Sequence, residues 1–237
     1  LPLAGVATLS HTFDTIGWFT KDVADTATMF QAMTGSRLPE KDANHKVGRY
    51  LSHQSDSVAP ETLGVIDDSC AALEANGVEI VEVEPLPHLE SVFEAANTIL
   101  HYDIVRVFAW ERTHHLHLIS DLVRKMFVNA SNIGYDDYLQ AQDLLFTARL
   151  AHQEFMAANQ LDALLTPSAP GEAPPIKTTG DSVFNRVWTS LGVPAIHLPV
   201  RLGPTGLPVG IQLTGRHWCD KELLATAAHV ESNIIES

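Results

Sequence analysis

The densest group of potential metal ligands in the chain is His114, His115 and His117, with Glu111 and Asp121 close by in sequence. Imidazoles and carboxylates suit divalent metals, but ligands sharing one helix face must stand three or four residues apart. Only His114 with His117 meets that spacing, so a solvated helix end is the simpler reading and no metal is expected. Ser168, in Thr166-Pro167-Ser168-Ala169-Pro170, follows an apolar run and invites reading as a nucleophile. No base lies near it in sequence and serines are common in turns, so it is read as a turn residue. Asp136 and Asp137 open a helical pattern, where the macrodipole favours carboxylates without any acid-base role. Glu79, Glu82 and Glu84 accompany Ile80 and Val83 and read as the solvated edge of a strand. The chain has no Gly-x-Ser-x-Gly elbow, no Gly-rich phosphate loop and no His-Glu-x-x-His pair. Residue chemistry by itself leaves the function open.

The elements that would position these groups follow from periodicity. Thr20 or Asp22 caps a first helix carrying Val23, Ala27, Phe30 and Met33 as far as Gly35. A polar loop over residues 36–46 follows. Residues 47–51 then read as a strand, Pro60 as the first residue of a helix ending at Asn76-Gly77, and Val78, Ile80, Val81 and Val83 as a second strand. A crossover of that length favours parallel pairing. Residues 89–112, 116–127 and 135–159 read as amphipathic helices, and the run 161–167 as a fully buried strand. Residues 168–179 hold three prolines and two charged residues, the composition of an ordered loop. Asp181 or Ser182 caps a short helix through Leu191, and strands at 195–200 and 209–214 flank the turn Gly203-Pro204-Thr205-Gly206. Asp220 caps a last helix carrying Leu223, Leu224, Ala227, Ala228 and Val230. Alternating strands and helices, with a strand apolar on both faces, predict an α/β fold in which helices cover a mixed, mostly buried sheet.

Composition narrows the function classes. The 237 residues are 45% hydrophobic, enough for a core of ordinary size, and 29 acidic against 15 basic side chains give a formal charge of −14. That charge repels a phosphate backbone and an anionic lipid surface, so neither nucleic acid nor membrane is expected as a partner. The apolar runs are far too short to span a bilayer, and a soluble, cytoplasmic protein is expected. Cys70 and Cys219 stand far apart in no metal-binding or disulfide pattern, and both are expected to be buried thiols. The start, Leu1-Pro2-Leu3-Ala4-Gly5, has neither a basic nor a hydrophobic leader region and reads as a chain entered in its middle.

Three stretches resemble the amidase-signature family and occur in that family's order. The first spans residues 1–25, where Ser10-His11-Thr12-Phe13-Asp14-Thr15-Ile16-Gly17 and Asp22-Val23-Ala24-Asp25 resemble segments that follow the signature proper. The second spans residues 135–167. The third, residues 180–231, contains Phe184-Asn185, Trp188-Thr189 and Gly192-Val193-Pro194-Ala195-Ile196, leading to Gly206-Leu207-Pro208-Val209-Gly210-Ile211-Gln212-Leu213.

The resemblance implies hydrolysis or transfer of acyl groups from amides by a serine, a second serine in a cis peptide linkage and a lysine, with no metal and no cofactor. The family's catalytic lysine and Gly/Ser-rich signature lie upstream of the segment that Leu1 resembles, so no catalytic residue is assigned here. Lys21, Lys41, Lys46, Lys125, Lys177 and Lys221 are read in helices or loops without a Ser-rich motif. The expectation is thus a single incomplete amidase-signature domain over residues 1–237, the C-terminal portion of a metal-independent amidase of small amides, inactive alone. The resemblance places Phe184, Asn185, Trp188 and Thr189 on the substrate-binding wall, although Phe184 and Trp188 at helical spacing also suit ordinary core packing. Self-association, or a complementing N-terminal segment, is expected to cover the edges such a portion leaves open. A non-catalytic ligand- or partner-binding module is the alternative from another class. Within the family, amidotransferase A subunits carry a basic stretch before the Tyr-rich helix. Residues 126–134 here lack it, which favours a stand-alone amidase, while Tyr135-Asp136-Asp137-Tyr138 resembles both groups.

Overall fold

The computed structural model describes residues 1–39 and 45–234. The Asp22 carboxylate accepts the Asp25 N–H at 2.8 Å, and Gly35 closes the helix in the left-handed region, so helix α1 runs Val23–Thr34. Strand β1 (Lys46–Arg49), helix α2 (Pro60–Ala75) and strand β2 (Glu79–Glu82) form the crossover unit, with Pro60 in the first helical turn. Helices α3 (Val92–Val107), α4 (Ala109–His114), α5 (Asp121–Asn129) and α6 (Tyr135–Ala158) lead to strand β3 (Ala163–Thr166). Helix α7 (Arg186–Leu191), strands β4 (Ala195–Leu202) and β5 (Pro208–Thr214) and helix α8 (Asp220–Ile234) complete the order. Among the described residues no helix is long and apolar enough to cross a membrane.

The five strands form one mixed sheet in the order β2-β1-β3-β5-β4. β1 pairs in parallel with β2, as the crossover length favours, and also in parallel with β3, whereas β5 runs antiparallel to β3 and β4. The period of two in β3 divides the core. Ala163 and Leu165 join Val65, Ile66, Leu73, Leu223 and Ala227 on the face covered by α1, α2 and α8, while Leu164 joins Ile99, Leu145 and Trp188 under α3, α6 and α7. Leu164 and Leu165 are both fully buried, and each such side chain contributes about 1.5–3 kcal/mol relative to an exposed one. The predicted α/β fold and its doubly buried central strand are therefore present. β4 differs from β3: Leu198 is buried on one face, whereas Ala195, His197 and Pro199 are exposed on the other.

Several boundaries depart from periodicity. The single helix expected over 89–112 is two, α3 and α4, meeting at Phe108, whose φ/ψ of −92°/22° leaves the helical basin and whose ring packs 6.3 Å from Phe127. The helix expected from residue 116 begins at Asp121, because Ser120 offers a side-chain cap to the Val123 N–H after a short 3-10 turn, Leu116–Leu118. Likewise α7 starts at Arg186. Asp181 spends its carboxylate on the Val183 N–H at 3.0 Å, making a local turn in place of a cap. Lys46, read as loop, opens β1 and pairs with Glu79 at 2.8 Å, while Lys41 and residues 40–44 of the expected loop lie outside the described residues. Cys70 is buried, its thiol pushed up to about 12 by desolvation that the nearby Arg49 charge does not offset, but Cys219 is only half-buried. Asp137 caps as expected, accepting the Gly134 N–H at 2.8 Å.

Candidate functional site

The C-terminal end of β3 carries a polar row that crosses three strands. Register places Thr166 opposite Gln212 and Gln212 opposite His197, so all three side chains emerge from one face of the sheet. The Gln212 amide donates to Thr166 Oγ1 at 3.2 Å. Two residues beyond β3, the Ser168 Oγ lies 2.8 Å from His197 Nδ1. The turn reading of Ser168 found no base nearby in sequence, and the imidazole that meets its hydroxyl comes from a strand 29 residues further along the chain.

One hydrogen bond holds the backbone of that serine and others hold the loop that follows it. The Asn185 amide donates to the Ser168 carbonyl oxygen at 3.0 Å, and the Pro170 carbonyl accepts the Ala59 N–H at 2.8 Å. Further out, the Glu172 carboxylate accepts from the Thr205 N–H at 2.9 Å, the Thr205 hydroxyl at 2.7 Å and the Leu207 N–H at 3.0 Å. Desolvation works upward on this carboxyl, but the bonds from Thr205, Leu207 and Gly206 outweigh it and hold its pKa below the usual value. The loop after β3 is thereby clamped to the turn between β4 and β5. Gly210 makes room for His197: a Cβ there would stand 2.8 Å from the His197 Cε1 and 2.0 Å from the Leu198 carbonyl oxygen. Desolvation lowers the His197 pKa against a backbone hydrogen bond with Ile211 that works upward, so its neutral form is favoured.

The four residues placed on a substrate wall divide into two pairs. Phe184 and Trp188, one helical turn apart, are 1% and 2% exposed. Trp188 packs edge-on to Tyr50 at 6.0 Å and lies 5.7 Å from His152, which makes it a core side chain in this structure. Asn185 and Thr189, also one turn apart, lie half-buried and exposed. A cleft of about 340 Å³ next to this segment is lined by Tyr50, His53, Phe93, Val183, Arg186 and Val187, among others. The wall residues thus alternate with those that face the cleft. Arg186 sits 4.8 Å above the Phe93 ring and also donates to Ser182 Oγ at 2.9 Å, giving the cleft one held cation.

The motif near the N-terminus serves architecture. Asp14 accepts the Leu9 and Ser10 N–H groups at 2.5 and 3.3 Å, and the fully buried Ser10 hydroxyl donates to Asp103 of α3 at 2.5 Å. The histidine cluster surrounds Trp110. His114 stacks on the indole at 5.3 Å with its Nδ1 2.9 Å from the Trp110 carbonyl oxygen, and His115 meets the same ring at 4.7 Å. Among the described residues no group of three or more His, Cys, Asp or Glu is arranged to hold a metal.

The amidase family model matches residues 1–224. The chain belongs to the amidase family. Among its curated relatives are the glutamyl-tRNA(Gln) amidotransferase A subunits of Ruegeria sp. (strain TM1040) and Granulibacter bethesdensis. The first is 27% identical over 278 aligned positions, covering 96% of this chain and 56% of the relative. The second is 26% identical over 276 positions, covering 96% and 55%. A solved amidase structure superimposes with a TM-score of 0.80 at 26% identity, covering 91% of this chain and 52% of that one. The peptide amidase of Stenotrophomonas maltophilia shares the fold, with a TM-score of 0.68 at 22% identity over 97% of this chain and 55% of that one. The chain therefore spans about half the length of the curated relatives it matches.

Proposed function

We propose that this amidase-family chain is the C-terminal part of a metal-independent amidase that hydrolyses the C–N bond of small amides. In this reading a Ser-Ser-Lys triad is contributed by polypeptide upstream of Leu1, and the chain by itself turns over no amide. The observation that carries it is the family match over residues 1–224 combined with coverage of only about half of each relative. Bare surface supports the same reading. One face of edge strand β4 is exposed, and Leu139, Phe146 and Leu150 of α6 are 41%, 58% and 43% exposed, an apolar stripe suited to a complementing N-terminal segment or a second copy. Of the four wall residues only Thr189 is exposed, the Asn185 amide being bonded to the Ser168 carbonyl oxygen, so the Thr189 hydroxyl is the group left to meet a small amide.

The test is ammonia release from a panel of small amides, by the purified chain and by the chain co-expressed with a signature-bearing N-terminal segment. Turnover only on complementation is expected. Amide turnover by the isolated chain, abolished by a serine-directed reagent, would overturn the assignment. A second reading, an amidotransferase A-type subunit, is favoured by the names of the curated relatives. Glutamine-dependent transfer by the complemented protein, in place of hydrolysis, would select it.

A further inference from the structure

Ser168 and His197 have no role in the amide reaction proposed above, yet they meet in the arrangement that activates a serine. The hydroxyl and the imidazole Nδ1 are 2.8 Å apart, within the distance at which a base takes a proton from its nucleophile. Each side of the pair is held. Asn185 pins the Ser168 carbonyl, Pro167 and Pro170 stiffen the turn, and the clamp from Glu172 to Thr205 and Leu207 ties the loop to the strand that carries His197. Gly210 leaves the space in which the imidazole sits. In the 237-residue chain the pair is reachable, since Ser168 is half-buried and His197 lies on the exposed face of β4, the face that the complementing segment proposed above would cover.

We propose that Ser168 and His197 form a nucleophile and base pair that cleaves activated carboxylic esters, a site separate from the amide chemistry of the family. In the tautomer with hydrogen on Nε2, Nδ1 takes the Ser168 proton as Oγ bonds to the ester carbonyl carbon. The bond from that carbon to the leaving alkoxide or aryloxide breaks, and the imidazolium returns the proton to the departing oxygen. Water then attacks the acyl-serine: its oxygen bonds to the carbonyl carbon, the Oγ–C bond breaks, His197 relays the proton back to Oγ, and a carboxylic acid leaves. Aryl esters are the substrate class because a good leaving group lowers the demand for stabilising a tetrahedral oxyanion, which two residues by themselves do not meet.

A hydrogen bond that merely tied the loop down would have the same length, so the test must read covalent chemistry. The 237-residue chain is incubated with p-nitrophenyl acetate and, separately, with a fluorophosphonate probe, and the adduct is mapped by peptide mass spectrometry. Acetyl and phosphonyl groups on Ser168 are expected, with S168A and H197A each lowering the ester rate about ten-fold or more while far-UV circular dichroism is unchanged. S168C, which keeps a nucleophile beside the imidazole, is expected to retain acylation at position 168 and covers the case of an S168A chain that fails to fold. Absence of an adduct on Ser168, or S168A hydrolysing the ester at the wild-type rate, overturns the proposal. Neither result touches the amidase reading, which is tested on amides with the complemented protein.

Discussion

His152 lies on α6 with none of its surface exposed, between the Trp188 ring at 5.7 Å and the His88 ring at 5.9 Å. Neither ring nitrogen makes a well-formed hydrogen bond. Desolvation, with the nearby His88 adding to it, lowers its pKa from 6.5 to about 4, and the Gly215 backbone works upward without restoring the lost hydration. The unfolded chain protonates this imidazole near 6.5 and the folded chain only near 4. Between those values the unfolded state binds more protons, so stability is lost as pH falls from 6.5 and levels off below about 4. The full loss from this group is about 3 kcal/mol, and about 2 kcal/mol of it has been incurred by pH 5. His152→Phe keeps an aromatic ring beside Trp188 and removes the titration. Urea unfolding at about pH 7.5 and about pH 5, followed by tryptophan fluorescence, gives both stabilities for each protein. The wild type is expected to lose about 2 kcal/mol more than the variant on acidification, and His152→Leu serves if the larger ring does not fit. The pKa of His88 is also lowered, by burial first and by His53 second, so a slope remains in the variant. Equal losses in the two proteins would refute the reasoning.

Gly210→Ala is expected to destabilise by about 1–3 kcal/mol and to loosen the β4-β5 pair, since the new methyl meets the Leu198 carbonyl oxygen at 2.0 Å. Thermal unfolding and amide hydrogen exchange along β4 measure it, and an unchanged melting temperature would refute the clash. Trp188→Ala should cost about 3–5 kcal/mol, whereas Thr189→Ala on the exposed side of α7 should stay within about 0.5 kcal/mol. Equal costs in urea unfolding would contradict the division of those wall residues into core and surface pairs. Asp103→Ala leaves the buried Ser10 hydroxyl without its acceptor and is expected to cost about 1–3 kcal/mol. Limited proteolysis should then cut between residues 9 and 17 faster than in the wild type, and an unchanged rate there would show that Asp103 does not anchor the segment.

The fold class was legible because the signals that define it are local. Pro60, Asp22 and Gly35 mark helix ends through backbone geometry that depends only on a few neighbours. Ala163-Leu164-Leu165 is apolar on both faces because the strand is covered on both, and that also shows in composition. The family resemblance lay in runs such as Phe184 to Ile196, which the match over residues 1–224 bears out. Boundaries failed where a local competitor outbid periodicity, as when Ser120 capped α5 five residues into a pattern that began at Leu116.

The site was less legible, for a physical reason. The base beside Ser168 comes from His197, and what joins them is the register of β4 on β5 and of β5 on β3. A hint existed in the alternation of β4, where His197 falls on the polar phase between Ile196 and Leu198. Alternation assigns a face but not a partner across the sheet. The sequence by itself determined the α/β class, the crossover unit and the helix ends marked by Asp22, Gly35 and Pro60, since these follow from interactions within a few residues. Only the tertiary structure decided that Trp188 is core, that His152 is stripped of water, and that a serine and a histidine 29 positions apart touch. Those outcomes depend on which surfaces the packed helices and paired strands bring together, and contact between distant segments leaves no periodic trace along the chain.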